Sequence, residues 1–205
     1  PDAGEAATNS PPGAFDGPES RPLAERCLLG FLNTSGPPTL PNYFYNNMKQ
    51  IVQTKDTILI LVEMVHDARV IRMNAEHLPP TIRKWMGDSV GKWEDDSTFV
   101  VQSNGTDQKT WLDNAGNPHS NEMRVEERYH RVNANTMELT VTIDDSKAYS
   151  RPWTSDTIHF LLQPDTELLV LPPLLPSRPT LVLTRTISSV VCSPGQVQVP
   201  ARRSS

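Results

Sequence analysis

From Met48 onward the apolar positions fall into short, strand-like runs. MKQIVQT, TILILVEMV and ARVIRM are rich in β-branched residues and are separated by Lys55-Asp56 and by His66-Asp67, which predicts a meander of hairpins. SVGKWED and STFVVQS predict a further hairpin that turns at Glu94-Asp95-Asp96. In EMRVEERYHRVN, Met123, Val125, Glu127 and Tyr129 alternate with Arg124, Glu126, Arg128 and His130, the period-two signal of a half-exposed antiparallel strand. TMELTVTID follows after Ala134-Asn135, and TIHFLLQ and TLVLTRTISSVV supply the last strands around a proline-rich link at Leu171–Pro179. TIRKWM, after Pro79-Pro80, is read as one helical turn or a connector, and the polar stretch from Thr106 to Asn121, with Gly116 and Pro118, as a long loop.

Many short strands, few helices and hairpin connections predict an all-β fold. Closure into an antiparallel, lipocalin-like β-barrel would remove the exposed edges and leave an interior pocket. The 19 prolines crowd toward both ends of the 205 residues, so the termini are expected to be irregular. Residues 1–26 read as an extended arm, 27–192 as a single barrel domain and 193–205 as a mobile tail.

Composition narrows the partners. A net charge of −5 gives no electrostatic reason to expect nucleic acid or an anionic membrane, and no apolar run reaches the ~18 residues of a spanning helix. Asn33 and Asn104 each head an Asn-x-Ser/Thr glycosylation signal, and the chain starts at Pro1, which is taken as a sign of a removed signal peptide. Together these favour secretion or the lumen of the secretory pathway. In such a compartment Cys27 and Cys192 are expected to form a disulfide, because in a closed barrel the first and last strands are neighbours. Two free buried thiols are the plain alternative.

Candidate chemistry lies between Asn46 and Trp93. If one strand ran from Val62 to Ile71, Glu63, Val65, Asp67, Arg69 and Ile71 would share a face, with Met64, His66, Ala68 and Val70 on the other. Three charges on one face are either a solvated ladder of ion pairs or a pocket lining able to polarise a ligand carbonyl or phenol. His66, Asp67 and Arg69 are the catalytic candidates. Adjacent strand residues face apart, so His66 and Asp67 can act as an acid–base pair only across a turn. Trp85, Trp93 and Trp153, with Tyr45, Asn46, Asn47 and Glu63, are candidates for substrate binding; core filling by the tryptophans and turn capping by the amides are the competing readings. The histidines are scattered without metal-ligand spacing, so neither a metal nor a cofactor is expected. Ser89, in GDSVG, has the look of a nucleophile elbow, but Gly87–Gly91 is read as a turn leading into a strand rather than a helix.

The motifs PNYFYNNMKQIVQT, ILVEMVHDARVIRMN, HLPPTIRKWMGDSVGKWEDDSTFVV, VEERYHRVNANTMELTVTIDD and RPWT occur in that order between Arg21 and Trp153. This stretch resembles a family of uncharacterised, mostly exported proteins of soil bacteria. The chain departs from that pattern after Trp153, where LLVLPPLLPSRPTLVL replaces the family's C-terminal strand and acidic, cysteine-containing ending, and at Asp95, where the family carries glycine. The glycosylation signals and this drift make it look like a fungal member. By analogy of protein type it is similar to the hetero-Diels–Alderases of tropolone–sesquiterpene biosynthesis. The resemblance implies a cofactor-free pericyclase that joins a polyketide-derived and a terpenoid partner in an apolar pocket. The competing readings are a non-catalytic carrier or secreted assembly protein, the latter a homo-oligomer joined through its arm, and an acid–base isomerase or dehydratase using His66 and Asp67.

Overall fold

A computed structural model describes residues 36–40, 48–63, 67–113, 117–164 and 166, together with the backbone of 185–192. Ten strands occur, and no helix is present among the described residues. They are β1 (Met48–Gln53), β2 (Thr57–Val62), β3 (Ala68–Met73), β4 (Asp88–Trp93), β5 (Thr98–Asn104), β6 (Arg124–Arg131), β7 (Thr136–Asp144), β8 (Trp153–Thr154), β9 (Ile158–Gln163) and β10 (Arg185–Cys192).

The strands form one curled, antiparallel-dominated sheet, as expected of a β-barrel. The ladder runs β6-β5-β4-β3-β2-β1-β10-β9-β7, and a β6–β7 pairing returns it to its start. The short β8 adds to the free stretch of β7 beyond β9. The first and last strands, β1 and β10, are antiparallel neighbours, as closure demands. Cys27 lies outside the described residues and of Cys192 only the backbone is described, so the expected disulfide lies outside them too, as do the N-terminal arm and the tail.

Alternation along the strands decides what faces inward. Ile58, Ile60 and Val62 of β2, Phe99 and Val101 of β5, Val125 and Tyr129 of β6, Leu139, Val141 and Ile143 of β7, and Ile158 and Phe160 of β9 are all buried. Their neighbours along β2, β6, β7 and β9 are less buried, whereas in β5 Thr98 and Val100 are buried as well. Burying one such side chain is worth about 1.5–3 kcal/mol, so a one-residue slip would forfeit the whole inner face of a strand.

Three expectations need correction. The hairpin meander is interrupted, because β3 and β4 pair in parallel, with Ile71 opposite Ser89 and Met73 opposite Gly91. A parallel pair requires a crossover, and residues 74–87 provide it. Asp88 fastens that crossover by accepting from Arg72 Nη2 (2.9 and 3.0 Å) and from the backbone N–H of Leu78 (3.0 Å), with His77 Nδ1 also 3.0 Å away. Pro79-Pro80 thus marks a connector, not a helical turn. Second, Gly87–Gly91 is not a turn: β4 begins at Asp88, and Gly87 alone takes positive φ (64°) ahead of it. The stretch from Val62 to Ile71 is likewise two strands, since β2 ends at Val62 and β3 begins at Ala68.

Candidate functional site: an apolar cavity above a buried ion pair

One end of the barrel holds a cavity of about 380 Å³. Its wall is apolar, built from Ile51 of β1, Ile58 and Ile60 of β2, Ile71 of β3, Phe99 of β5, Met137 of β7, and Phe160 and Leu162 of β9. Trp93 and Phe99, opposite each other on β4 and β5, stand 5.1 Å apart between ring centroids and are tilted by 52°. That geometry lies within the favourable range for aromatic pairs. Gly91 makes the arrangement possible: a Cβ there would lie 2.2 Å from Phe99 Cζ and 2.9 Å from Ile71 Cγ2. Ser97 and the turn residues Asn133, Ala134 and Asn135 form the solvent-facing rim, joined by Gln53 and Arg131.

Tyr129 connects this cavity to a polar layer beneath it. Its ring lines the cavity, while its hydroxyl lies 2.9 Å from Thr39 Oγ1 and 3.1 Å from Glu127 Oε1. Glu127 and Arg69, both fully buried, form a bidentate pair: Nη2 to Oε2 is 2.5 Å and Nη1 to Oε1 is 3.1 Å. Arg69 also donates from Nε to Ser89 Oγ (3.0 Å), from Nη1 to Thr39 Oγ1 (3.1 Å) and from Nη2 to Ser103 Oγ (2.9 Å). Those five bonds use all five guanidinium donors. Glu127 Oε1 takes a further bond from the backbone N–H of Thr39 (2.7 Å). The segment Gly36–Thr39 is therefore packed inside the fold. Gly36 is required there because its φ is +90° and a Cβ would sit 2.7 Å from Arg69 Nη1.

Burial alone would push the Glu127 carboxyl up, but the Arg69 charge and the bonds from Arg69 and Thr39 outweigh it and hold the group below the usual carboxylate range. Burial likewise opposes the charge of Arg69, yet Glu127 outweighs it and the guanidinium is held above its ordinary value. Burial, reinforced by the Glu127 charge, raises Tyr129 far above the ordinary phenol range. The layer is a closed ionic network in which the phenol stays neutral.

The sequence candidates are scattered by this geometry. Trp93 stands at the cavity wall, 44% exposed. Arg69 lies below the cavity with every donor committed, so it cannot polarise a ligand. Glu63 follows the end of β2 and is buried, its N–H bonded to Met48 O at 3.0 Å. Asp67 is half-buried, and its carbonyl accepts from Val62 N (2.9 Å). Trp85 is exposed on the β3–β4 crossover, and Trp153 is half-buried against the core from β8. Asn104 ends β5, and the Thr106 hydroxyl of its glycosylation tripeptide is buried. Tyr45, Asn46, Asn47, His66 and Asn33 lie outside the described residues. Ser89, set aside as an elbow, is a ligand of the Arg69 guanidinium. Missed altogether were Phe99 as a cavity wall, Thr39 as a partner of the ion pair, and Arg131 with its turn. Strand parity in EMRVEERYHRVN placed Glu127 and Tyr129 on one face, and the same parity carried two residues further would have reached Arg131.

Compared with protein-family models, curated proteins and solved structures, the chain gives no significant match.

Proposed function

We propose that the barrel takes up a compact apolar molecule in this cavity and acts as a cofactor-free pericyclase, holding an unsaturated polyketide-derived partner against a terpenoid one. The observation that carries this reading is the lining itself. At about 380 Å³ it falls in the range of small-molecule sites, ~300–1,000 Å³. Its surface is mainly aliphatic and aromatic, and among the described residues it contains no carboxylate or histidine. A cycloaddition needs no proton transfer; it needs two partners held in near-attack geometry with water excluded. The acid–base reading finds less support, because Asp67 does not line the cavity.

The test is to generate an oxygen-containing heterodiene in situ, add a terpenoid alkene, and separate the adducts by chiral chromatography. One stereoisomer formed in excess over the uncatalysed mixture is the expected result. Saturable binding of the alkene with adducts formed at background rate and ratio would make the protein a carrier and overturn the enzymatic part.

A further inference from the structure

We infer that the cavity selects amphipathic ligands with a single anionic head group, which Arg131 receives at the rim; this rests on the small-molecule reading above. Arg131 is the one charged side chain among the described residues lining the cavity. It follows Val125, Glu127 and Tyr129 in the inward series of β6, so it stands one step above the Tyr129 ring. Its guanidinium is held over the β6–β7 turn by two carbonyls, Nε to Asn133 O at 3.2 Å and Nη2 to Ala134 O at 3.5 Å. No carboxylate pairs with it among the described residues.

Of the acidic groups near that end, three are committed elsewhere, while Asp96 is exposed and forms no ion pair with Arg131 among the described residues. Glu94 pairs with Arg128, and Glu138 lies 3.5 Å from His159 Nδ1. Asp95 is capped by Ser97 and Thr98. A guanidinium presents five donors in a planar fork, and two neutral carbonyls leave the remaining N–H groups of exposed Arg131 to solvent and its charge without a carboxylate partner among the described residues. A carboxylate on the end of an apolar body would complete it bidentately, with its chain on Phe99 and Ile60 below. The same charge would disfavour cationic ligands.

Decanoate and decanol share an apolar chain and differ in the head group, so they separate the two claims. Calorimetric titration of the full chain at pH 8 and low salt should show decanoate bound about five- to tenfold more tightly than decanol, the scale of one partly exposed charged hydrogen-bonded pair. The preference should shrink as salt is added. Arg131→Gln should bring decanoate down to the affinity of decanol, with an unchanged circular dichroism spectrum. Equal affinities in the wild type, or a preference that survives Arg131→Gln, would overturn the head-group assignment and leave the apolar cavity standing. If neither probe binds, the cavity reading falls, and this inference with it.

Discussion

Arg69 and Glu127 are 58 residues apart in the chain and meet as a fully buried bidentate pair, Nη2 to Oε2 at 2.5 Å, in the layer that supports the cavity. Removing two charges from water costs several kcal/mol per ion, and the pair is tolerable only because Thr39, Ser89, Ser103 and Tyr129 satisfy its remaining groups. Either single replacement, Arg69→Met or Glu127→Leu, leaves an orphaned buried charge and should cost about 3–5 kcal/mol in urea denaturation. The double replacement removes both charges and should cost clearly less than the sum of the two. An additive double variant would mean that the pair is not coupled as its geometry says.

Tyr129→Phe separates the two roles of that side chain. The ring lining the cavity is retained and the hydroxyl between Thr39 and Glu127 is lost. A loss of about 1–2 kcal/mol of stability is expected, with ligand affinity nearly unchanged. A large fall in affinity at constant stability would instead place the hydroxyl in contact with the ligand.

Gly91 is where the cavity wall is most sensitive to one added methyl group. Gly91→Ala would drive its Cβ into Phe99, a contact of 2.2 Å, and should lower stability by about 1–3 kcal/mol as the ring is displaced. Combining it with Phe99→Leu should recover part of the loss in a thermal melt. If Gly91→Ala melts like the wild type, the ring is not confined as described.

The acid limb of stability contains a separable contribution from Asp95. Its carboxylate accepts from Ser97 N (2.7 Å), Ser97 Oγ (2.9 Å) and Thr98 N (2.6 Å) in the β4–β5 turn, and bonds to the charged form pull its pKa from 3.8 to about 2. A depressed folded-state pKa means that the stabilisation is present above 3.8 and disappears as the pH falls through about 2. Asp95→Asn keeps an acceptor but loses the charge. The variant should therefore be less stable than the wild type at pH 6, with the gap closing between pH 4 and 2. A gap that stays constant over that window would sink the assignment.

Much of this architecture is legible in the residues. EMRVEERYHRVN gives β6 and its inner face, Glu94-Asp95-Asp96 gives the turn before β5, and the run of short strands gives a barrel whose first and last strands are neighbours. The partners across the barrel are not legible. Parity puts Arg69 and Glu127 on inner faces, but only closure decides that they meet, and Thr39 reaches Glu127 from 88 residues away. A charge on a strand looks the same in sequence whether it lines a pocket or is sealed beneath one, which is how Arg69 came to be a catalytic candidate. The rim was hidden for another reason: Asn133 to Asn135 signal a turn, and turn chemistry does not say which end of the barrel it borders.

The proposed pericyclase and its acid–base rival differ most sharply in their dependence on pH. Among the described residues the cavity is lined by two titratable groups, Tyr129 and Arg131, and the phenol is raised far out of the working range by burial and Glu127. The phenol therefore stays neutral across that range. With a substrate that does not itself titrate, kcat should stay level within about twofold from pH 6 to 9, and Asp67→Asn should leave it unchanged. An isomerase working through His66 and Asp67 would instead give a bell-shaped profile with an inflection near the ordinary histidine pKa of ~6.5. Stopped assays at each pH, normalised to the folded fraction, decide between them, because a bell that disappears in His66→Gln would require a proton-transfer mechanism and remove the case for catalysis by shape alone.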